Sequence, residues 1–187
     1  MSKTACAVCA SSDGKLCGGC NSIAYCSVIC QKKDWKFHRA LCAAFKDLSD
    51  DKRPHSETTR AIYLPYDSTK PKLIWLTYTP EENEDFKDNR LDKVDSAPFL
   101  LDSFGKVNPE IGMYNRDIRG HSLRHTIIRC NRNEYMYDGS RPNQVVLNLL
   151  GDDKADMWRG SLLFYGLTGD IIDPNRCDDL DLSLIHI

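Results

Sequence analysis

A small metal-built module with a C-terminal helix, followed by an α+β, mainly β domain, is the architecture this sequence predicts. Two observations carry that expectation. Seven of the nine cysteines fall between residues 6 and 42, and short apolar runs separated by turn residues recur beyond residue 60. Charge supplies a third: residues 1–46 hold seven Lys/Arg against two Asp, whereas residues 47–187 hold 18 Lys/Arg against 25 Asp/Glu. The formal net charge of -2 therefore conceals a basic front and an acidic body, as two separate units would give. It offers no overall attraction to nucleic acid or anionic lipid. The expected divisions are residues 1–46 for the module, 47–60 for a linker, 61–181 for the β domain and 182–187 for a tail.

No run approaches the ~20 apolar residues of a membrane helix. The first residues, MSKTACAVCA, lack the basic and then apolar pattern of a secretory signal, so an intracellular protein is expected, in the cytoplasm or nucleus. Thiols stay reduced there, and patterned cysteines bind metal rather than form disulfides.

The ligand string reads Cys6-x2-Cys9-x7-Cys17-x2-Cys20-x5-Cys26-x3-Cys30-x7-His38-x3-Cys42. A Cys-x2-Cys turn brings two thiolates within ~2.3 Å of one zinc ion, and a structural tetrahedral site needs two such pairs. Cys6/Cys9 and Cys17/Cys20 are turns of that kind, and Gly18 and Gly19 suit the second to close tightly. Cys26/Cys30 and His38/Cys42 are spaced i,i+4, which on a helix aims both side chains along one face. Four pairs make two sites with no open position, so two structural Zn2+ ions are expected rather than a catalytic one. Spacing leaves the combination open: the pairs could join sequentially or interleave.

With Tyr25-Cys26-Ser27 and Cys30-Gln31-x-x-Asp34-Trp35-x-x-His38 inside it, the string resembles the MYND-type zinc finger, with every ligand position filled. The resemblance implies interleaving: Cys6, Cys9, Cys26 and Cys30 on one zinc, and Cys17, Cys20, His38 and Cys42 on the other. It also implies a protein-interaction role. In fingers of this family that bind peptides, the residues matching Gln31 and Trp35 help form a shallow groove for proline- and leucine-containing segments, with Ser27 on the neighbouring edge. An aromatic face suits a proline-rich strand, which loses little entropy on binding.

One helix is expected from about Val28 to Leu48, capped by Ser27. Lys32, Lys33, Lys36 and Arg39 on it are read as partly balancing the thiolate charge rather than as a nucleic-acid surface. So few residues bury little surface, so metal must replace a core, and chelation is expected to unfold residues 1–46 while leaving the remainder largely intact. Residues 47–60, polar and containing Pro54, read as a linker. Strands are expected over Ala61–Leu64, Lys72–Tyr78, Thr126–Arg129, Gln144–Leu149 and Ser161–Tyr165. The acidic stretch 80–95 reads as an exposed loop. Along RAIYLPYDSTKPKLIWL, IRGHSLRHTIIR, YDGSRPNQVVLNLL and the MWRG around Trp158, this region resembles fungal MYND-finger proteins with an uncharacterised C-terminal domain, which implies a fungal source and no chemistry.

Catalytic motifs are lacking. His121 and His125 have no third ligand and no Glu between them, and read as strand or loop polar residues. Gly120-His121-Ser122 is no nucleophile elbow. It also stands where methyltransferases of the SET class carry Asn-His-Ser/Cys. Cys130 reads as a buried thiol without a base, and Cys177 as incidental. Leu182–Ile187 (LSLIHI) matches the translation of a common sequencing adapter and is read as an adapter-derived tail, with truncation after about Asp181. The expected function is an interaction or adaptor protein with a protein partner, no membrane and no nucleic acid. Two alternatives compete: an enzyme, such as a methyltransferase-like protein, with its active site in the second domain or in missing sequence, and a nucleic-acid-binding regulator.

Overall fold

The structure is a computed structural model, and it describes residues 5–82, 90–100, 109–116, 122–132, 134–151, 157–170 and 173–180. His121 and the adapter-like tail lie outside the described residues, and of His125 only the backbone, in a strand, is described. No helix of the described residues is long and apolar enough to cross a membrane.

The N-terminal module is built from two matching knuckles. Ala10 N–H returns to Cys6 C=O and Asn21 N–H to Cys17 C=O, each at 2.8 Å. Both knuckles end in a left-handed residue, Ala10 at φ 58° and Asn21 at φ 53°. A two-stranded ribbon, β1 (Lys15–Leu16) with β2 (Ala24–Tyr25), then leads into helix α1 (Val28–Asp47). Ser27 caps α1 as expected, its side chain accepting from Cys30 N–H at 3.2 Å. The helix closes where Leu48 N–H reaches back to the carbonyls of Ala44 and Phe45. Lys46 in its last turn suits the negative end of the dipole.

The body is one strongly curled antiparallel sheet. Its strands are β3 (Thr58–Leu64), β4 (Lys72–Glu82), β5 (Arg90–Val94), β6 (Pro109–Arg116), β7 (Ser122–Arg132), β8 (Leu162–Asp170) and β9 (Asp173–Asp178). They run in the order β5-β4-β3-β8-β7-β6, with β9 also on β8. The first residues of β8 pair with β3 and its later ones with β9, so β9 takes over the edge that β3 leaves. Across that gap Asp92 of β5 accepts Cys177 N–H at 2.9 Å, which draws the ends of the curled sheet together.

Two helices complete the body, α2 (Ala97–Leu100) and α3 (Gln144–Leu150). Two expectations are corrected here. Gln144–Leu149 is helix, not strand. Its apolar run is too short for periodicity to decide, and Asn143 decides instead by accepting from Val145 N–H and Val146 N–H as an N-cap. Gly151, at φ 97°, ends the helix. The acidic stretch 80–95 is not simply a loop: Tyr78–Glu82 pairs residue by residue with Arg90–Val94. Charged residues tolerate a strand where one face meets water. Strand β9, DPNRCD, carries no alternating apolar signal, and β6, PEIGMYNR, offers only the short pair Ile111 and Met113.

The sheet buries both faces, and strand alternation sorts the residues. On one face Ile62, Leu64, Leu73, Ile127 and Leu162 form one continuous core with Val145 and Val146 of α3 and with Cys17, Cys20, Ile23, Tyr25 and Leu41 of the module. On the other, Ala61, Leu76, Ile128, Cys130, Leu163, Tyr165 and Leu167 pack with Leu100 of α2.

The stretch 47–60, expected as a linker, contains a 3-10 turn at Asp50–Lys52 and opens β3 at Thr58. Its two arginines converge on one carboxylate. Asp179 accepts from Arg60 N–H and from the Arg60 guanidinium, both at 2.9 Å, and from the Arg53 guanidinium. Arg60 also lies over Phe45 of α1, 5.0 Å from the ring centroid, and Arg53 over Trp75 of β4 at 4.4 Å. Burial raises the Asp179 carboxyl and the two arginines more than reverse it, so it sits below its ordinary value. The sign follows: this contribution is fully present above the unfolded carboxylate value of ~3.9 and is lost as pH falls through the lower folded value. Asp179→Asn should lower stability at neutral pH by about 2 kcal/mol, discounted for partial exposure. The deficit should shrink in denaturant titrations as pH falls below about 4; a deficit that does not change with pH would mean that charge is not what Asp179 supplies.

Candidate metal centre

The knuckles, α1 and Cys26, which lies just before the N-cap of α1 and not on the helix as its spacing to Cys30 suggested, bring eight ligand atoms into two groups. Cys6, Cys9, Cys26 and Cys30 form one, and Cys17, Cys20, His38 and Cys42 the other, with all ligand atoms of a group within 4.8 Å of one another. The pairs interleave, which spacing alone left open. In the first group Cys9 and Cys26 Sγ are 3.5 Å apart, Cys26 and Cys30 Sγ 3.6 Å, and Cys30 and Cys9 Sγ 4.0 Å. In the second, Cys17 and Cys42 Sγ are 3.9 Å apart, and His38 Nε2 lies 3.3 Å from Cys17 Sγ and 3.9 Å from Cys20 Sγ. A tetrahedron with Zn–S bonds of ~2.3 Å has S···S edges of about 3.8 Å. The observed separations straddle that value.

Electrostatics point the same way. Burial pushes the Cys6 thiol up, but N–H groups of Cys26, Val8 and Cys9 outweigh it and hold the thiol at about 6. Cys17 is lowered in the same manner: burial opposes, and the N–H groups of Cys20 and Gly19 prevail. Cys26 is pushed up to about 12, first by its contacts with the Cys9 and Cys30 thiols. Cys42 is pushed up to about 12 by burial and then by the charge of Cys20 and Cys17. In each group one thiol is lowered and another raised, because crowded thiolates cannot ionise together without a cation. A divalent cation resolves that conflict by displacing the proton.

Gly19 approaches the ligands closely. A Cβ there would meet Cys42 Sγ at 3.0 Å, whereas one on Gly18 would meet nothing within 4 Å. Of the two glycines proposed to tighten the turn, only Gly19 stands in such close quarters.

The donor sets, four thiolates in one group and three with an imidazole in the other, fit two Zn2+ ions in closed structural sites. Residues 6–42 match the family model described as MYND finger. This segment is a MYND finger. Such a finger is a zinc-binding protein-interaction module. Tudor domain-containing protein 1 of Oryzias latipes is 45% identical over 59 residues, which is 26% of this chain and 5% of that protein. No solved structure matches.

The fully buried His38 of the finger is supported by residues the sequence reading passed over. The Tyr25 ring meets the imidazole edge-on at 5.8 Å, and the Tyr25 hydroxyl donates to the carboxylate of Asp34, itself fully buried. Burial, followed by the Asp34 hydrogen bond, raises the Tyr25 phenol well above its ordinary value. The signal was available: Asp34 stands four residues before His38, one turn away on α1.

Trp35 is 46% exposed and tilts against the His38 ring at 5.8 Å. Gln31 is half-buried, with Nε2 4.0 Å from Cys17 Sγ. Ser27 is exposed and its hydroxyl caps α1. Leu16, Val28 and Ile29 are exposed as well, at 51%, 64% and 69%. In the sheet, Cys130 is buried and its thiol is pushed up to about 11 by that burial, which makes it a poor nucleophile at neutral pH.

Proposed function

We propose that the finger docks short proline- and leucine-containing segments of a partner protein, and that the chain works as an interaction or adaptor protein in the cytoplasm or nucleus, where its thiols stay reduced. The observation that carries this reading is the exposed apolar surface of the finger. Of the large apolar side chains exposed among the described residues, Leu16, Val28, Ile29 and Trp35 belong to the finger. Exposed apolar groups gathered on a small rigid unit mark an interaction site.

Gln31 and Trp35 are the proposed contacts, with Ser27 at the edge. The half-exposed indole offers a flat face to a proline ring. Val28 lies two turns before Trp35 on nearly the same helical line, and extends the apolar strip towards Ser27. Zinc takes no part in contacting the segment. It fixes α1 against the knuckles, so the strip is pre-formed and little ordering is lost on docking.

The test is a titration of the zinc-loaded chain against a panel of proline- and leucine-rich peptides. Trp35→Ala should weaken binding by about 30-fold, the effect of a central aromatic anchor, while two zinc ions per chain are retained. Peptide binding that survives this change would remove the indole from the site.

A further inference from the structure

We infer that the segment docked on the finger carries acidic side chains beside its apolar anchor, and that Lys32, Lys36 and Arg39 receive them. This rests on the reading of Trp35 as the anchor platform, and adds the charge of the partner.

The argument comes from how α1 distributes its residues around its axis. At about 100° per residue, the buried line of α1 runs through Asp34, His38 and Leu41. Trp35 sits at the border of that buried side. On its zinc side lie Gln31 and the ligands His38 and Cys42. On its outer side lie Lys32, one turn before it, Arg39, one turn after it, and Lys36. All three cations are exposed, as is Lys33 further round. The aromatic platform is thus bordered by metal ligands along one side and by cations along the other.

The cations have no equivalent use within the fold. Among the described residues none of the four forms an ion pair, and Lys36 only lies near the Phe37 ring, 5.8 Å from its centroid. The arginines that brace the finger on the sheet, Arg53 and Arg60, by contrast both pair with Asp179. Lys32, Lys36 and Arg39 are exposed on the side of Trp35 opposite the ligands His38 and Cys42. α1 has no acidic residue in its first turn to offset them.

An extended segment lying along Trp35 and Val28 runs parallel to the cation row. Side chains that alternate off such a segment can meet the indole on one side and the ammonium and guanidinium groups on the other. Carboxylates fit that row as single charges on flexible stems. Nucleic acid would also meet the charge, but the exposed apolar Val28 on nearly the same helical line as the indole favours a peptide.

The experiment uses the full zinc-loaded chain and two synthetic peptides, each with one Pro-x-Leu core, flanked by glutamates in one and by glutamines in the other. The glutamate peptide should bind more tightly, by about twofold to fivefold for each cation engaged, and 0.5 M salt should erase the difference. Lys32→Gln with Arg39→Gln should remove most of the preference while two zinc ions per chain are retained. Equal binding of both peptides, lost together in Trp35→Ala, would overturn the inference and leave the docking reading intact. Binding of neither peptide would overturn both. A single-stranded oligonucleotide that binds more tightly than the glutamate peptide would overturn it in favour of nucleic acid.

Discussion

Removing zinc should unfold the finger and loosen the sheet with it. Zinc supplies on the order of 10 kcal/mol to small structural sites, comparable to the stability of a whole domain. Without the ions, the crowded thiols cannot stay gathered as thiolates, and the knuckles and the first turns of α1 lose their metal cross-links. The sequence alone suggested that the loss would stop at residue 46. The shared core argues otherwise: Ile23, Tyr25 and Leu41 of the finger pack in one cluster with Ile62, Leu64, Ile127 and Leu162 of the sheet. Opening the finger exposes that face. Arg60 also reaches from β3 to Phe45 and to the Leu48 carbonyl at the end of α1, so fraying of α1 leaves a half-buried guanidinium with fewer partners. A strong chelator should therefore abolish the helical circular dichroism of α1 and lower the melting temperature of the sheet by several degrees, about 2–4 °C for each kcal/mol lost. A sheet that melts at an unchanged temperature after zinc is gone would show that the two parts are energetically separate. Acid should act in the same direction, because protons compete for the thiolates. Zinc release should rise as pH falls, and rebinding should displace protons from the cysteine thiols.

How much of this was legible in the sequence differs sharply between the two parts. In the finger the chemistry is local. Ligand spacing announces the metal, and Ser27 before the i,i+4 ligands announces the start of α1, which the structure places within one residue of expectation. The interleaved pairing was not in the spacing and came from resemblance to a family. The role of Asp34 and Tyr25 went unread because a buried carboxylate on a charged helix looks like any other solvent-facing one. In the sheet the strands seen were those with apolar residues on both faces, such as β3 and β8. Strands β5 and β9 were missed because polar side chains predominate in them, and β6 because its apolar alternation is only two residues long; pairing with neighbours holds all three in place. The run Gln144–Leu149 was misassigned because its composition suits a strand, and one polar residue before it overrides composition.

That residue, Asn143, supports the second large effect. Asn143→Asp should destabilise the chain by about 3–4 kcal/mol although Asp is as good an N-cap as Asn. The side chain is fully buried and uses both ends of its amide. Its Oδ1 accepts from Val145 N–H at 3.0 Å and Val146 N–H at 3.1 Å, and its Nδ2 donates to Leu64 C=O at 2.9 Å and Gly160 C=O at 2.8 Å. Two N–H groups on one side and two carbonyls on the other leave a single orientation of the amide. A carboxylate keeps the cap but sets a buried oxygen against two carbonyl oxygens, each of which loses its donor. Asn143→Ser separates the terms: it retains a capping oxygen, lacks the reach of the amide, and should cost less than Asn143→Asp because it brings no charge. Urea unfolding of the two variants checks the order, and a cost for Asn143→Asp no greater than for Asn143→Ser would mean that the carbonyl contacts contribute little. The consequence reaches the finger. Asn143 ties the end of β3 and the Gly160 turn to α3, and α3 places Val145 and Val146 in the core that the finger packs against. A variant that releases α3 should therefore also hold its zinc less tightly, a loss visible as faster metal transfer to a chromogenic chelator, although the substitution is remote in sequence from every ligand.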